Sequence, residues 1–451
     1  MIKKTIIGFF TGHERTTRIN KNIAASFVIR FVSIVTGFVL VPLCLAYLDR
    51  TRYGIWLTVS SVLSWLSLFE LGMGTGLRNK VSEALAEDNY LKAKIYVSTT
   101  YTIFAVLASV ILIAYYTAGM FIDWTVVFNV DNSMSRDLNL LVNLVFAIFM
   151  IRFVLKLIVS ILYADQRPAL AGSILPAGSL LSVGIVFILT KTTEGSITAL
   201  GIALSLSPLF VLLCFNLVLF SKKYKNIRPS ISFFRFKYVR ILTNLGIKFF
   251  IIQVAGLVLY QSTNIIISHF FGPGEVTPYS ISFKLFSTFN MIFGVFLAPY
   301  WNAYTEAWKK RDLEWIRSSV KRLLKIWALM ALAGILVLIF SKDIYRVWVG
   351  DEIVISFGLS ALLLIYFLLF TFTGIFNMFI NGVGKIKLQL YTSVISATYF
   401  FPLTFFLIGK TELKLEGLAL AMILTNIIGP ITAPIQFYKI INGKAKGIWN
   451  A

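Results

Sequence analysis

The feature that most constrains this chain is a succession of long apolar runs separated by short polar breaks. A helix needs about 20 mostly apolar residues to cross roughly 30 Å of hydrocarbon. The runs are too long and too uniformly apolar for barrel strands, whose sidedness alternates at every second residue. With a mean hydropathy of +0.82 and 14% charged residues, the 451-residue chain lacks the polar surface that a soluble protein needs. We therefore predict an all-α, polytopic membrane protein.

The runs predict about twelve membrane-spanning helices in two halves of six. The longest connection follows the sixth span, and six spans per half give both halves the same orientation, as in parallel-repeat transporters. We expect an N-terminal arm over 1–22, a bundle over 23–220, a basic linker over 221–248, a second bundle over 249–437 and a tail over 438–451. The predicted spans are 23–45, 55–71, 95–116, 138–163, 169–190, 197–220, 249–271, 276–300, 323–340, 353–380, 388–408 and 418–437.

The distribution of positive charge predicts the orientation of these spans. Of the 42 Lys and Arg residues, 30 fall on the side of the termini, 8 on the other side and 4 within spans. Because Lys and Arg collect in cytoplasmic loops, we expect both termini in the cytoplasm of a bacterial inner membrane. The linker over 221–248 mixes basic and aromatic residues, so we expect it to lie on the inner leaflet and bind anionic lipid headgroups. No nucleic-acid-binding module accompanies it, and we expect no nucleic-acid partner.

Motifs for enzyme or ATPase chemistry are missing from the sequence. It contains no GxxxxGK[ST], HExxH or GxSxG segment and no Cys/His cluster. Cys44 and Cys214 lie in apolar runs and are expected to be small buried hydrophobes. We predict a protein that is not an enzyme and needs no cofactor or metal. In the largest outer loop, Asp123, Asp131 and Asp137 are the acids that a glycan polymerase or glycosyltransferase would use.

Four cations lie inside predicted spans, with no acids at matching depth. They are Arg30 in span one, Arg152 and Lys156 in span four, and Lys284 in span eight. A charge near the bilayer centre costs about 2.5–3.5 kcal/mol, so such residues normally face a wet cavity or a partner. Arg152 and Lys156 are four residues apart and share a helix face. The set predicts an anionic ligand, although Arg30 and Lys284 lie close enough to a membrane surface to snorkel instead.

Polar side chains also recur along span seven. Gln253, Tyr260, Gln261 and Asn264 fall mostly on one helical face, and Asn290 follows in span eight. These groups could bind sugar hydroxyls in a cavity. They could equally bond neighbouring helices, as amides in membrane helices often do.

Three segments resemble a known family. The segments Tyr53–Trp56 (YGIW), Phe69–Asn79 (FELGMGTGLRN) and His269–Pro273 (HFFGP) resemble polysaccharide flippases of the O-antigen type. These flippases belong to the multidrug/oligosaccharidyl-lipid/polysaccharide exporter superfamily. The glycines of the second segment, including Gly76, predict close approach between helices.

The resemblance implies two six-helix bundles around a central cavity that works by alternating access. Its implied cargo is an undecaprenyl-diphosphate-linked oligosaccharide, moved from the inner to the outer leaflet for lipopolysaccharide or another surface polysaccharide. The implied protein partners are a polysaccharide polymerase and other assembly proteins. Arg30 and Lys284 match basic residues that the similar lipid II flippases carry in spans one and eight. Relatives often have an acid late in span seven, where this chain has Gln261 and Asn264, so a proton-coupling carboxylate there is in doubt.

Two alternatives remain open at this point. The first is a cation- or proton-coupled small-molecule exporter of the same superfamily, which should place carboxylates in its cavity. The second is a membrane glycan polymerase or glycosyltransferase, which should use acids of the outer loops. Glu70, Glu275 and His269 are possible ion-coupling groups, and each is also explained as a residue at the membrane interface.

Overall fold

The protein is helical throughout the part that its structure describes. The computed structural model describes residues 14–65, 73–119, 122–244, 262–297 and 300–450, and these form α-helices, 3-10 turns and connecting loops without a strand. The predicted all-α class is therefore confirmed. Cys44 and Cys214 are free thiols; Cys44 is buried as predicted, whereas Cys214 is only partly buried.

The chain folds as two compact units. The first unit comprises Met1–Asp49 and Leu63–Phe250, and the second comprises Arg50–Val62 and Ile251–Ala451. The division departs from the order of the chain at one place. The helix Arg50–Trp65, here α2, begins in the second unit although the chain on both sides of 50–62 belongs to the first.

The first unit is built from membrane-length helices and a set of shorter ones. Its described helices are α1 (Glu14–Tyr47), α3 (Met73–Ala86), α4 (Tyr90–Gly119), α5 (Trp124–Phe128), α6 (Ser135–Leu155), α7 (Leu157–Ala164), α8 (Pro168–Thr192), α9 (Ile197–Ser221) and α10 (Val239–Asn244). Among these helices α1 packs on α8, α8 on α9, and α9 on α6, while α3 packs on α4 and α7.

The second unit is organised around α16 (Phe357–Gly382), which packs on α12 (Val276–Leu297), α14 (Leu313–Ile339), α18 (Lys414–Asn426) and α19 (Ile428–Ile441). Its core is aromatic: the Phe379 ring meets the Phe437 and Tyr304 rings edge-on, at centroid distances of 5.1 and 5.7 Å. Besides the start of α2, its described helices are α11 (262–271), α12 (Val276–Leu297), α13 (Tyr300–Lys309), α14 (Leu313–Ile339), α15 (Ser341–Val349), α16 (Phe357–Gly382), α17 (Lys387–Lys410), α18 (Lys414–Asn426) and α19 (Ile428–Ile441).

Nine segments of the described chain are long and apolar enough to cross a membrane. They match predicted spans one, three to six and nine to twelve. Predicted spans two and seven lie partly outside the described residues, and α12 occupies most of predicted span eight, so the count of twelve stays a prediction. The nine segments are Val28–Tyr47, Tyr90–Gly119, Asn132–Ala164, Pro168–Thr192, Ile197–Ser221, Leu313–Ile339, Phe357–Gly382, Lys387–Lys410 and Lys414–Ile441.

The basic linker is folded against the first unit. It forms three 3-10 turns, Lys225–Ile227, Ile231–Phe233 and Phe236–Tyr238, before α10. The backbone N–H of Ser230 donates to Ser98 Oγ at 3.1 Å, and that of Arg235 donates to Thr99 Oγ1 at 3.2 Å. The sequence predicts an interfacial segment, whereas the structure attaches part of that segment to α4, because buried hydroxyls on α4 supply acceptors for linker amides.

Gly76 makes the close helix approach that its segment predicts. A Cβ built on Gly76 would lie 2.0 Å from the backbone oxygen of Leu242, so α3 and α10 meet at a distance that only glycine allows. Gly184 of α8, in contrast, has nothing within 4 Å of such a Cβ.

We expect Gly76→Ala to destabilise the first unit by about 1–3 kcal/mol, the usual range for overpacking. The measurement is the melting temperature of the purified protein in detergent. Gly184→Ala is the matched control and should melt like the wild type. Equal melting temperatures for both variants would contradict the close packing of α3 on α10.

Candidate functional site

Predicted span four is interrupted at the position of its two cations. Helix α6 ends at Leu155 and α7 begins at Leu157, with Lys156 between them. The Lys156 N–H donates to the Arg152 carbonyl, four residues earlier, at 2.9 Å, which is the α-helical pattern. The Val159 N–H donates to the Lys156 carbonyl, only three residues earlier, at 2.9 Å, which is the 3-10 pattern. The helix thus tightens locally at Lys156 without a proline. Arg152 and Lys156 stay one turn apart, as the sequence predicts.

An amide from a neighbouring helix bonds to this interruption. Asn216 of α9 donates from Nδ2 to the carbonyls of Leu155 and Leu212, at 3.0 and 2.8 Å, and its Oδ1 accepts from the Tyr101 hydroxyl at 2.9 Å. Sharp helix bends commonly occur where a side chain inserts into the backbone hydrogen-bond ladder. Asn216 therefore joins α4, α6 and α9 and stabilises the interrupted turn.

Arg152 is partly buried and lies deep in its span. At 1.5 Å per residue it is about 25 Å from Ser135 and about 18 Å from Ala164 along the helix axis, so both surfaces of a hydrocarbon layer of roughly 30 Å are distant. Its guanidinium carbon is 5.9 Å from the Phe149 ring centroid, at the outer limit of a cation–π contact. None of the ion pairs in the described part of the chain involves Arg152.

Arg152 and Lys156 differ in their exposure. Arg152 lies in the last turn of α6 and is partly buried, whereas Lys156 is exposed. The span thus carries a pair of cations, one partly buried and one accessible, on successive turns.

The other predicted cations lie on different helices. Arg30 of α1 is exposed, like its neighbours Val28 and Phe31. Lys284 of α12 is partly buried, and its carbonyl accepts from the hydroxyls of Ser287 and Thr288. Arg30 and Arg152 share the first unit, on α1 and α6, and Lys284 belongs to the second.

Of the predicted polar set, Asn264 and Asn290 lie within the described residues, and both are partly buried. Asn264 donates to the Leu57 carbonyl of α2 at 3.4 Å and accepts from the Ser280 hydroxyl of α12 at 3.5 Å. It thus bonds neighbouring helices, which is one of the two roles that the sequence leaves open. Gln253, Tyr260 and Gln261 lie outside the described residues.

Two of the family-like segments meet in the second unit. A Cβ on Gly54 would lie 1.8 Å from the Pro273 oxygen, so α2 starts directly against the turn between α11 and α12. At the same place Arg50 forms an ion pair with Glu275 at 2.5 Å and donates to the Gly274 carbonyl at 2.8 Å. Glu275, one of the possible ion-coupling groups, is therefore neutralised by a neighbouring arginine in this structure.

Comparison with known proteins identifies this architecture. The chain is similar to the inward-facing conformation of a multidrug resistance MATE family transporter of the MOP superfamily, with a TM-score of 0.78 and 13% identity, covering 94% of this chain and 98% of that one. The outward-facing conformation of such a transporter matches with a TM-score of 0.66 and 15% identity, covering 95% and 97%. The chain has the fold of MATE transporters.

The sequence comparisons agree with the predicted resemblance. The chain is 23% identical over 375 residues to the "Putative O-antigen export protein" of Yersinia pseudotuberculosis, covering 81% of this chain and 83% of that protein. No family model matches the sequence. Together with the MATE fold, this relative confirms the predicted resemblance to the MOP superfamily.

Two of the acids that a polymerase or glycosyltransferase would use, Asp123 and Asp131, have structural partners. Asp123 accepts from the backbone N–H of Thr125 at 2.9 Å and caps α5, and Asp131 accepts from the N–H of Ser133 at 2.8 Å. Hydrogen bonds from the Thr125 hydroxyl and amide lower the pKa of Asp123, and bonds from Ser133 lower that of Asp131. Carboxylates held ionised in this way are poor general acids near neutral pH.

A buried polar cluster in the second unit has no signal in the sequence. The Tyr345 hydroxyl of α15 is 3.0 Å from the hydroxyls of both Ser282 in α12 and Ser360 in α16. The three residues are isolated in sequence and belong to no motif. Their contact depends on the tertiary packing of α12, α15 and α16.

We expect Asn216→Leu to lower the stability of the first unit by roughly 0.6–2 kcal/mol, the range for hydrogen bonds between membrane helices. Leucine has a similar size but cannot bond to the Leu155 carbonyl. The measurement is the melting temperature in detergent. Tyr101→Phe removes a single bond to Asn216 and should cost less, and Ser109→Ala, on an exposed face of α4, should cost almost nothing. An Asn216→Leu variant as stable as Ser109→Ala would refute the bracing role of this amide.

Proposed function

We propose that this protein is a flippase that moves an undecaprenyl-diphosphate-linked oligosaccharide from the inner to the outer leaflet by alternating access. The observation that carries the proposal is Arg152, a partly buried cation at mid-span without a carboxylate partner in the described ion pairs. A deep, unneutralised guanidinium favours an anionic ligand, and phosphate suits its planar set of donors. The O-antigen export relative supports a lipid-linked sugar as the cargo.

In this proposal the interrupted turn holds the diphosphate of the cargo. Arg152 contacts one phosphate, and the exposed Lys156 attracts the second while remaining hydrated. Arg30 and Lys284 contribute positive potential along the path of the headgroup, and Asn290 and the polar residues of span seven, Gln253, Tyr260, Gln261 and Asn264, contact sugars. Placement around a central cavity, and both termini in the cytoplasm, remain predictions.

The acids of the described spans support an anionic over a cationic cargo. Within the nine membrane-length segments the acids are Asp137, Glu314 and Glu416, and each lies in the first two turns of its segment. An exporter of organic cations should instead have a carboxylate at depth. The MATE fold is nevertheless shared with multidrug transporters, so small-molecule export is the second candidate function.

Transport measured in proteoliposomes tests the proposal. A fluorescent undecaprenyl-diphosphate oligosaccharide is reconstituted with the protein, and its appearance in the outer leaflet is followed by an impermeant reagent. We expect Arg152→Gln to slow flipping by roughly tenfold or more, because a hydrogen bond to a charged group contributes about 1.5–3 kcal/mol. Arg152→Lys should retain part of the rate.

Arg136→Gln is the matched control, because Arg136 is exposed near the start of α6 and should not affect flipping. An Arg152→Gln variant that flips the lipid at the wild-type rate would contradict the proposed contact between Arg152 and the diphosphate. A wild-type protein that moves a cationic dye along an ion gradient, and does not flip the lipid-linked sugar, would establish the exporter function instead.

A further inference from the structure

The linker and α4 together form a groove in the first unit. The groove has a volume of about 460 Å³, within the range of ligand-binding pockets. Its walls come from α4, from Val154 in the last turn of α6, and from the linker segment 229–231. Along α4 it extends from Tyr101 to Val110, about 14 Å at 1.5 Å per residue.

The groove is apolar and open on one side. Val106 and Val110 are 56% and 57% exposed although they lie in the middle of a membrane-length helix. Three of its four hydroxyls have partners: Tyr101 bonds to Asn216, Ser109 to the Ala105 carbonyl and Ser230 to Ser232. A groove with this lining, in a membrane-spanning segment, suits a hydrocarbon chain rather than a polar solute.

Positive charge adjoins the wall that the linker supplies. The described part of the linker, residues 221–244, contains seven Lys and Arg and no acid, and one of the seven, Lys223, pairs with Asp165. Arg228 is exposed and immediately precedes Pro229, which lines the groove, and Arg235 is exposed five residues beyond Ser230. The linker is held in place here by its bonds to Ser98 and Thr99, so these charges have a defined position relative to the groove.

We propose that this groove is a binding site for an anionic phospholipid. One acyl chain occupies the groove along α4, and the phosphate contacts basic side chains of the linker, foremost Arg228. Apolar fit to the groove and charge complementarity beside the wall that the linker supplies are separate observations that point to the same ligand. The proposal depends on the first unit alone and stands independently of the cargo of the transporter.

Photo-crosslinking tests this site. The full-length protein is reconstituted in nanodiscs of phosphatidylcholine containing a small fraction of phosphatidylglycerol with a diazirine in its acyl chain, and labelled peptides are mapped by mass spectrometry. We expect labelling of the α4 segment that contains Tyr101–Val110. Ala105→Phe fills the groove and should abolish this labelling. Ala114→Phe makes the same change at an exposed position of the same helix outside the groove and should preserve it.

The headgroup is tested in the same preparation. Arg228→Gln should reduce phosphatidylglycerol labelling about fivefold, the effect expected for one basic residue near an anionic surface, whereas the exposed Arg136→Gln should leave it unchanged. Equal labelling in Ala105→Phe and Ala114→Phe would overturn the site. Equal labelling by phosphatidylcholine and phosphatidylglycerol probes would overturn the assignment of the groove to an anionic phospholipid. The same conclusion would follow if undecaprenyl phosphate displaced the phosphatidylglycerol probe and unlabelled phosphatidylglycerol did not. Melting temperatures of the variants show that each one is folded.

Discussion

The structure depends on one constraint, which is that backbone groups at membrane depth need hydrogen-bond partners inside the protein. Continuous helices meet it along most of the described chain, and at two interruptions a neighbouring helix supplies the partner. Asn216 donates to the Leu155 carbonyl beside Lys156. Ser396 of α17 donates to the Thr425 carbonyl at 2.6 Å, just before α18 gives way to α19 at Ile427. At each of these places one polar side chain from a neighbouring helix bonds to a backbone carbonyl of the span.

The same constraint explains how charge is arranged. Three of the described acids lie near helix ends and have hydrogen-bond or ion-pair partners there: Asp123 and Asp131 cap short helices, and Glu275 pairs with Arg50. Arg152 stands apart, because the described ion pairs leave it without a carboxylate and it lies far from both ends of its span. This separation of acids at the edges from a cation at depth supports the anionic cargo of the proposed function.

The linker has a larger structural role than its composition suggests. Its basic and aromatic composition is typical of a segment that lies on the membrane surface. In the structure, however, backbone N–H groups of the linker donate to hydroxyls of α4, and the ring centroids of Tyr238 and Tyr96 lie edge-on at 5.2 Å. Lys94 of α4 lies 4.2 Å from the Phe233 ring centroid. The chain between the halves is therefore part of the first unit, and its charges are positioned by that attachment.

The sequence by itself determined the helical membrane class, most of the spans, the resemblance to the MOP superfamily and the one-turn spacing of Arg152 and Lys156, because hydropathy and helical period are local properties. Tertiary structure alone decided the rest. No proline or glycine marks the tightened turn at Lys156, where an amide 60 residues away on another helix bonds to the Leu155 carbonyl. The same holds for the bond from Asn264 to α2, for the start of α2 in the second unit and for the attachment of the linker to α4. Each of these contacts joins segments that are distant in sequence. A local sequence pattern carries no information about which distant surfaces meet.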